Sequence, residues 1–310
     1  MRPLPAAAFQ IDARRDRRHR RDQVPALWHA QPDQDRESLT GAPASVRRDN
    51  RMTALKWNRI GKHQYTRADA LDALKGLETG SIDAVITDPP YCSGGSSESE
   101  RVAARSQGVR SDRPWFVGDA MTTAGLVWLL RNAAIEAARV LKPDGNLLVF
   151  TDWRMVPMLA PALETSGLRW RNQVVWDKGH AGLGRGFRPR HEMVLHFTKG
   201  ATPAFDTRAA NLIAVSRVPG RSRVHPTEKP TELLQQLVRA TAPAGGVVCD
   251  PFAGSGSLAA AAHMQGCRAI LAERDPAFCR VIADRLASLA SRRSEFSVQS
   301  AGARRFDQKK

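Results

Sequence analysis

Asp88-Pro89-Pro90-Tyr91 stands at the end of an apolar, partly β-branched run, Ala84-Val85-Ile86-Thr87. The run predicts a buried strand, so the tetrapeptide falls at the strand's C-terminal tip, where open α/β sheets hold their ligands. A carboxylate, a stiff turn and an aromatic ring at that place suit methylation of an exocyclic amino group. The lone pair of an aryl amine is delocalised into its ring, which makes the nitrogen a poor nucleophile. Asp88 is placed to accept one amino hydrogen and the Pro89 carbonyl the other, which draws the lone pair out of conjugation. Proline has a fixed φ and no competing N–H, so the carbonyls beside it keep their direction. Tyr91 would stack on a planar base, a contact worth about 1–3 kcal/mol. Asp-Pro-Pro also makes ordinary turns, so the tetrapeptide alone leaves a plain turn as an equal reading.

A second run narrows the choice. Val247-Val248-Cys249-Asp250 reads as a short buried strand, followed by the small-residue turn Pro251-Phe252-Ala253-Gly254-Ser255-Gly256-Ser257 and an Ala-rich helix. Glycines at 254 and 256 let the backbone approach a ligand, and the helix start adds N–H groups and a positive dipole end. One strand-turn-helix unit later, Ala269-Ile270-Leu271-Ala272-Glu273 is a further strand ending in an acid suited to the two hydroxyls of a ribose. Gly254-x-Gly256-x-x-Ala259 also fits a relaxed dinucleotide fingerprint, so an NAD-dependent enzyme is the rival. Asp250 before the glycines favours a cationic ligand over a pyrophosphate. The absence of Lys-Ser or Lys-Thr after the turn removes the ATPase type of phosphate loop.

Together with His225-Pro226-Thr227-Glu228-Lys229-Pro230, these two motifs resemble the amino-group DNA methyltransferases, which use S-adenosyl-L-methionine to methylate adenine N6 or cytosine N4. The catalytic motif precedes the cofactor motif, the β-class order of that family, and the resemblance covers roughly residues 65–289. It implies a doubly wound, mostly parallel α/β sheet, Rossmann-like, with permuted motif order. It assigns Asp88, Pro89, Pro90 and Tyr91 to the target base. It assigns Asp250, Phe252, Gly254, Ser255 and Gly256 to the cofactor, Glu273 to its ribose, and Thr227 and Lys229 to the neighbourhood of its carboxylate. Asp69 matches the acid facing the cofactor adenine, although Ala68 replaces the Gly that often precedes it. His191-Glu192 matches a strand that shapes the base pocket, or is merely a polar pair at a strand edge. Direct in-line transfer needs no metal and no covalent intermediate. Asp at the first position of the tetrapeptide favours adenine N6 over cytosine N4, whose enzymes more often carry Ser there. A catalytically silent DNA-binding protein of the same fold is the alternative of a different class, and the intact Asp88 and Glu273 speak against it.

The composition agrees with a nucleic-acid partner. Lys and Arg number 47 against 31 Asp and Glu in 310 residues, a formal charge of +16, and a surplus of that size points to a polyanion. Cys92, Cys249, Cys267 and Cys279 form no Cys-x-x-Cys pair, so neither a zinc site nor a disulfide framework is expected, and a reduced, cytoplasmic setting is the default. With no Pro-Cys dipeptide, the thiol attack of carbon-5 cytosine methylation has no candidate motif, and the zinc deaminase signature is absent as well. No apolar run reaches membrane-spanning length.

The elements that must position these residues follow from periodicity. An amphipathic helix is expected over 71–77, the catalytic strand over 84–87, a helix over 126–141 stopped by Lys142-Pro143-Asp144-Gly145, and a strand over 146–150. A helix over 155–166 and strands over 174–176 and 193–197 come next. The basic, Gly-rich loop 178–188 reads equally as a flexible hairpin or a DNA contact. Residues 92–125 and 199–224, rich in Arg and poor in apolar pattern, are expected to be DNA-contact and target-recognition loops around double-stranded DNA. The methyltransferase domain then covers 52–290, with a basic tail over 291–310. The short recognition interval and the family resemblance imply a homodimer. Residues 1–51, with the charge block Arg14-Arg15-Asp16-Arg17-Arg18-His19-Arg20-Arg21, read as a disordered extension, as a DNA-embracing arm, or as sequence ahead of a start at Met52.

A chain beginning at Met52 is therefore expected to unfold at the same temperature as the full chain and to keep its activity. Loss of the cooperative thermal transition on truncation contradicts that reading.

Overall fold

The computed structural model describes residues 55–90, 122–181, 186–200, 208–219 and 228–306, with side chains described as far as Ser291. The chain divides into units 1–51 and 52–310. The first unit and most of the loop 92–125 lie outside the described residues.

The elements in chain order are β1 (Asn58–Ile60), β2 (His63–Arg67), α1 (Ala70–Lys75), β3 (Ile82–Thr87), α2 (Thr123–Val140), β4 (Leu141–Thr151), α3 (Val156–Glu164) and β5 (Arg169–Asp177). They continue with β6 (His191–Thr198), β7 (Leu212–Ala214), α4 (Thr231–Thr241), β8 (Val247–Asp250), α5 (Ser257–Met264), β9 (Arg268–Glu273) and α6 (Pro276–Phe306). The strands form one sheet in the order β1-β2-β9-β8-β3-β4-β6-β5-β7. From β2 to β4 every neighbouring pair is parallel. β6 runs antiparallel between β4 and β5, and β7 closes the far edge parallel to β5. This is the expected α/β architecture, and β8 lies between β9 and the catalytic strand as the motif order implies.

Alternation at period two builds both faces of the sheet. Ala84, Ile86, Leu148, Phe150, Val248 and Leu271 point to one face, where Leu233, Leu237 and Val238 of α4, Ala261 and Ala262 of α5, and Ile282 and Leu286 of α6 cover them. Val85, Leu147, Val149, Cys249 and Ile270 point to the other, beneath Leu74 of α1, Leu126, Leu130 and Ala137 of α2, and Leu159 and Leu163 of α3. Each fully buried Leu, Ile or Phe contributes about 1.5–3 kcal/mol relative to exposure. The Ala-rich stretch of α5 lets that helix lie close to the sheet, directly behind the glycine turn.

Two expectations are corrected. The interval 199–224 is not all loop: β7 pairs with β5, and Ile213 and Val215 are buried. Three residues with one inward side chain are too few for periodicity to register. The helical backbone of α6 runs on to Phe306, through part of the stretch read as a basic tail. Lys142-Pro143-Asp144-Gly145 does end α2, but β4 has already begun. Leu141 pairs with Ile82, the four residues loop out with Asp144 at φ 61°, and pairing resumes at Asn146 opposite Ala84.

At the edge of the sheet opposite the catalytic tip, Asp83 ties three elements together. Both its oxygens lie 2.9 Å from Lys142 Nζ, and Oδ2 also accepts the Val247 N–H at 2.8 Å. Nearby, the buried His63 accepts the Ala269 N–H on Nδ1 at 3.1 Å, so its proton sits on Nε2, 3.1 Å from His263 Nδ1. Burial, with His263 and Lys62 adding positive charge, lowers its pKa from 6.5 to about 4. Between those values the unfolded chain binds a proton that the folded chain refuses, so stability falls as pH drops from 6.5 towards 4 and is untouched above 6.5. Urea unfolding of His63→Gln across this window should show a shallower fall than the parent chain; identical curves contradict the assignment.

Candidate active site

The C-terminal ends of β2, β9, β8, β3, β4 and β5 share one edge of the sheet, and the functional side chains stand there. Asp250, the last residue of β8, is buried. Its Oδ1 accepts from the Thr87 hydroxyl at 2.7 Å and from the Phe252 N–H at 3.0 Å. Burial pushes its pKa up to about 7 against these hydrogen bonds, with the nearby charges of Asp88 and Glu273 adding to the rise.

The turn after Asp250 depends on glycine. Gly254 and Gly256 have φ of 50° and 75°, and a Cβ on Gly256 would stand 3.1 Å from Ile282 Cγ1. Both the backbone conformation and the closeness of Ile282 therefore disfavour a side chain at 256. Glu273 holds the turn from the next strand: Oε2 accepts the Gly254 N–H and Oε1 the Asp275 N–H, each at 2.8 Å. The Gly256 N–H bonds the Ala253 carbonyl at 2.7 Å. Two of the turn's donors are thus spent inside the protein, which leaves fewer for a pyrophosphate and counts against the dinucleotide rival. Two carboxylates, the buried Asp250 and the half-buried Glu273, stand together at adjacent strand ends. That acceptor set fits the ribose hydroxyls and the cationic side of S-adenosyl-L-methionine. Burial raises the Glu273 pKa above its usual value.

Asp69 lies at the neighbouring strand end, since the Ala68 N–H bonds the Glu273 carbonyl at 3.1 Å. Its side chain caps α1 by accepting the Leu71 N–H at 3.0 Å, a role that a sequence match to a cofactor motif did not anticipate. Ser255 Oγ is 3.1 Å from Ser257 Oγ, and Phe252 packs against the core beneath α1, α2 and α3.

On the other side of Asp250, Asp88 follows β3, with Pro89 buried beside it. Lys229, only 7% exposed, places Nζ 2.5 Å from Asp88 Oδ2 and 3.3 Å from Glu192 Oε2. The ammonium also lies over the rings of Phe150 and Trp176, at 5.0 and 6.0 Å from their centroids. Glu192 in turn accepts from Lys178 Nζ at 3.2 Å through Oε1. Burial opposes the charge of Lys229, but Asp88 and Glu192 outweigh it and raise its pKa. For Glu192, burial is likewise outweighed by Lys229 and Lys178, and its pKa is lowered. The structure thus brings Lys229 onto the acid of the base motif, where the resemblance placed it near the cofactor carboxylate.

Lys178, Trp176 and Thr87 were not read from the sequence as site residues, whereas Glu192 was, as part of a strand matched to the base pocket. What the sequence did not show is the contact of Glu192 with Lys229, which depends on the register Trp176↔Glu192 between two strands joined by a long loop. Trp176 is fixed by its indole N–H, which donates to the Val215 carbonyl at 2.7 Å, so the unexpected edge strand β7 anchors one wall of the site. Tyr91, Thr227 and Cys92 lie outside the described residues. Among the described residues no group of three or more His, Cys, Asp and Glu is placed to hold a metal ion, and no helix is long and apolar enough to cross a membrane.

The DNA methylase family model for N6 and N4 enzymes matches residues 82–284. The type II methyltransferase M.HpaI of Haemophilus parainfluenzae is 29% identical over 219 residues, which cover 62% of this chain and 63% of that protein. The chain therefore spans less than two thirds of that relative's length. Among solved structures, the DNA modification methylase TTHA0409 of Thermus thermophilus in complex with S-adenosyl-L-methionine superposes with a TM-score of 0.55 at 21% identity, covering 74% of this chain and 94% of that one. The cytosine-N4-specific PvuII DNA methyltransferase gives 0.55 at 15% identity, covering 76% and 96%. The chain belongs to the N6/N4 DNA methylase family, whose cofactor is S-adenosyl-L-methionine.

The position of Asp250 sets a pH dependence. Its carboxylate form, which attracts a cationic ligand, becomes the major form as pH rises through about 7. Calorimetry is expected to show S-adenosyl-L-methionine binding strengthening by about eightfold between pH 6 and 7.5, with the slope lost in Asp250→Asn. An equal slope in the variant assigns the titration to another group.

Proposed function

We propose that this chain methylates the N6 amino group of adenine in double-stranded DNA, with the base flipped out of the helix. One observation carries the reading: Asp88 stands beside Asp250 at the shared strand edge, and a buried ammonium holds its carboxylate. S-adenosyl-L-methionine, when bound, supplies a methyl group on a sulfonium, an electrophile with a neutral leaving group. Asp250, Glu273 and the turn 254–256 would hold it, with Asp69, Phe252, Ser255, Thr227 and Lys229 as further candidates.

The chain's own work falls at the amine. Asp88 accepts one hydrogen of the exocyclic nitrogen and the Pro89 carbonyl the other, which turns the lone pair towards the methyl carbon. A nitrogen–carbon bond forms as the sulfur–carbon bond breaks, and the surplus proton on nitrogen leaves by way of Asp88. Positioning of this kind supplies about 7–11 kcal/mol in favourable cases. Flipping costs a few kcal/mol, which contacts between basic loops and phosphate offset.

The +16 charge supports a polyanionic substrate. Asp at position 88 supports adenine over cytosine. The short recognition interval, now with β7 inside it, supports a homodimer in which two copies share the duplex.

Asp88→Ala should lower the methyl-transfer rate by about 100-fold or more while cofactor affinity stays within about threefold, both measured on one preparation. Asp88→Asn, which disturbs Lys229 less, should show the same division. Near-normal turnover in either variant refutes the mechanism.

A further inference from the structure

We propose that Glu192 is a positioning residue for Asp88 and acts through Lys229. The proposal rests on the reading of Asp88 given above and extends it to a residue that does not touch the amine.

The charged groups alternate along a line: Asp88, Lys229, Glu192, Lys178, with separations of 2.5, 3.3 and 3.2 Å. Each comes from a different place in the chain. Asp88 follows β3, Lys229 precedes α4, Glu192 lies in β6 and Lys178 follows β5. β6 runs against its neighbours, so its first residues, not its last, reach the catalytic edge; this reversal is what delivers Glu192.

A buried ammonium with one carboxylate partner would be free to swing about it and to draw it away from other donors. Held between two carboxylates, above the faces of Phe150 on β4 and Trp176 on β5, it has one resting place. Glu192 thereby fixes where Lys229 meets Asp88. It also balances the ammonium, so that Asp88 is not wholly committed to its counter-ion and still accepts from an incoming amine. Lys178 supports Glu192 through its other oxygen, and it too lies over the Trp176 ring. Removing a member of such a line is felt by the others, and residues in one ion-pair network depart from additivity.

The test is single-turnover transfer of a labelled methyl group to DNA by Glu192→Gln, Glu192→Asp, Lys229→Met and the double variant Glu192→Gln/Lys229→Met, with cofactor affinity and the urea midpoint measured for each. Glu192→Gln should slow transfer about tenfold or more with cofactor affinity changed less than about threefold. Glu192→Asp, which keeps the charge, should recover part of the rate. In the Lys229→Met background, Glu192→Gln should add little further loss in rate and little further change in midpoint. A parental rate in Glu192→Gln, or losses that multiply in the double variant, overturns the proposal. If Glu192→Gln does not fold, Glu192→Asp decides: a slowed rate at an unchanged midpoint supports the proposal, and the parental rate refutes it. Full turnover by Asp88→Asn would instead overturn the role of Asp88 itself, while the coupling between Glu192 and Lys229 remains measurable in the midpoints.

Discussion

A lysine ammonium buried between two carboxylates is the constraint around which this site is organised. Removing an ion from water costs several kcal/mol even after relaxation, and only close, well-placed counter-charges offset it. Lys229 meets that condition because four separated segments converge on one edge of the sheet. The fold is what makes the convergence possible. Parallel pairing from β2 to β4 puts the ends of β3, β8 and β9 together, and the reversed β6 adds its first turn of polar residues to the same edge.

The carboxylates of the site then differ in environment, which divides their work. Asp88 is paired with a cation and only partly buried, which agrees with the role proposed for it at the amine. Asp250 has no cation in its described contacts: a hydroxyl and an amide hold it, and burial lifts its pKa towards neutrality. A cationic ligand would complete its environment. Glu273 turns inward to hold the Gly254 amide, so this carboxylate shapes the glycine turn. Thr87 joins the two halves, since its backbone ends the catalytic strand while its hydroxyl bonds the cofactor acid. Family membership and this geometry agree on the cofactor. The choice of adenine rests on the residue at 88.

Much of this was legible in the sequence, for identifiable reasons. Asp88 and Asp250 each follow a short apolar run, and a buried parallel strand must present its next residue at the sheet edge. Gly256 was readable as part of a small-residue turn between a strand and a helix, and its φ of 75° is one that glycine adopts without strain. The neighbour relation of β9, β8 and β3 followed from the βαβ order. What could not be read depended on pairing between distant segments. The register that sets Glu192 opposite Trp176 is a tertiary fact, and a one-residue slip would send both side chains to the other face. β7 is too short to show a period, although it anchors Trp176. Asp69 matched a motif acid, while its local duty as a helix cap reads just as well from Asp69-Ala70-Leu71. Lys229 was placed by resemblance near a carboxylate of the cofactor, and the carboxylates that hold it in the structure belong to the protein.

The most direct measurement is mass spectrometry of the nucleosides released from double-stranded DNA after incubation with the chain and S-adenosyl-L-methionine carrying a trideuterated methyl group. The account predicts N6-methyladenine three mass units heavier than the natural form. Labelled N4-methylcytosine would contradict the choice of base, and the absence of any labelled nucleoside would contradict the activity itself.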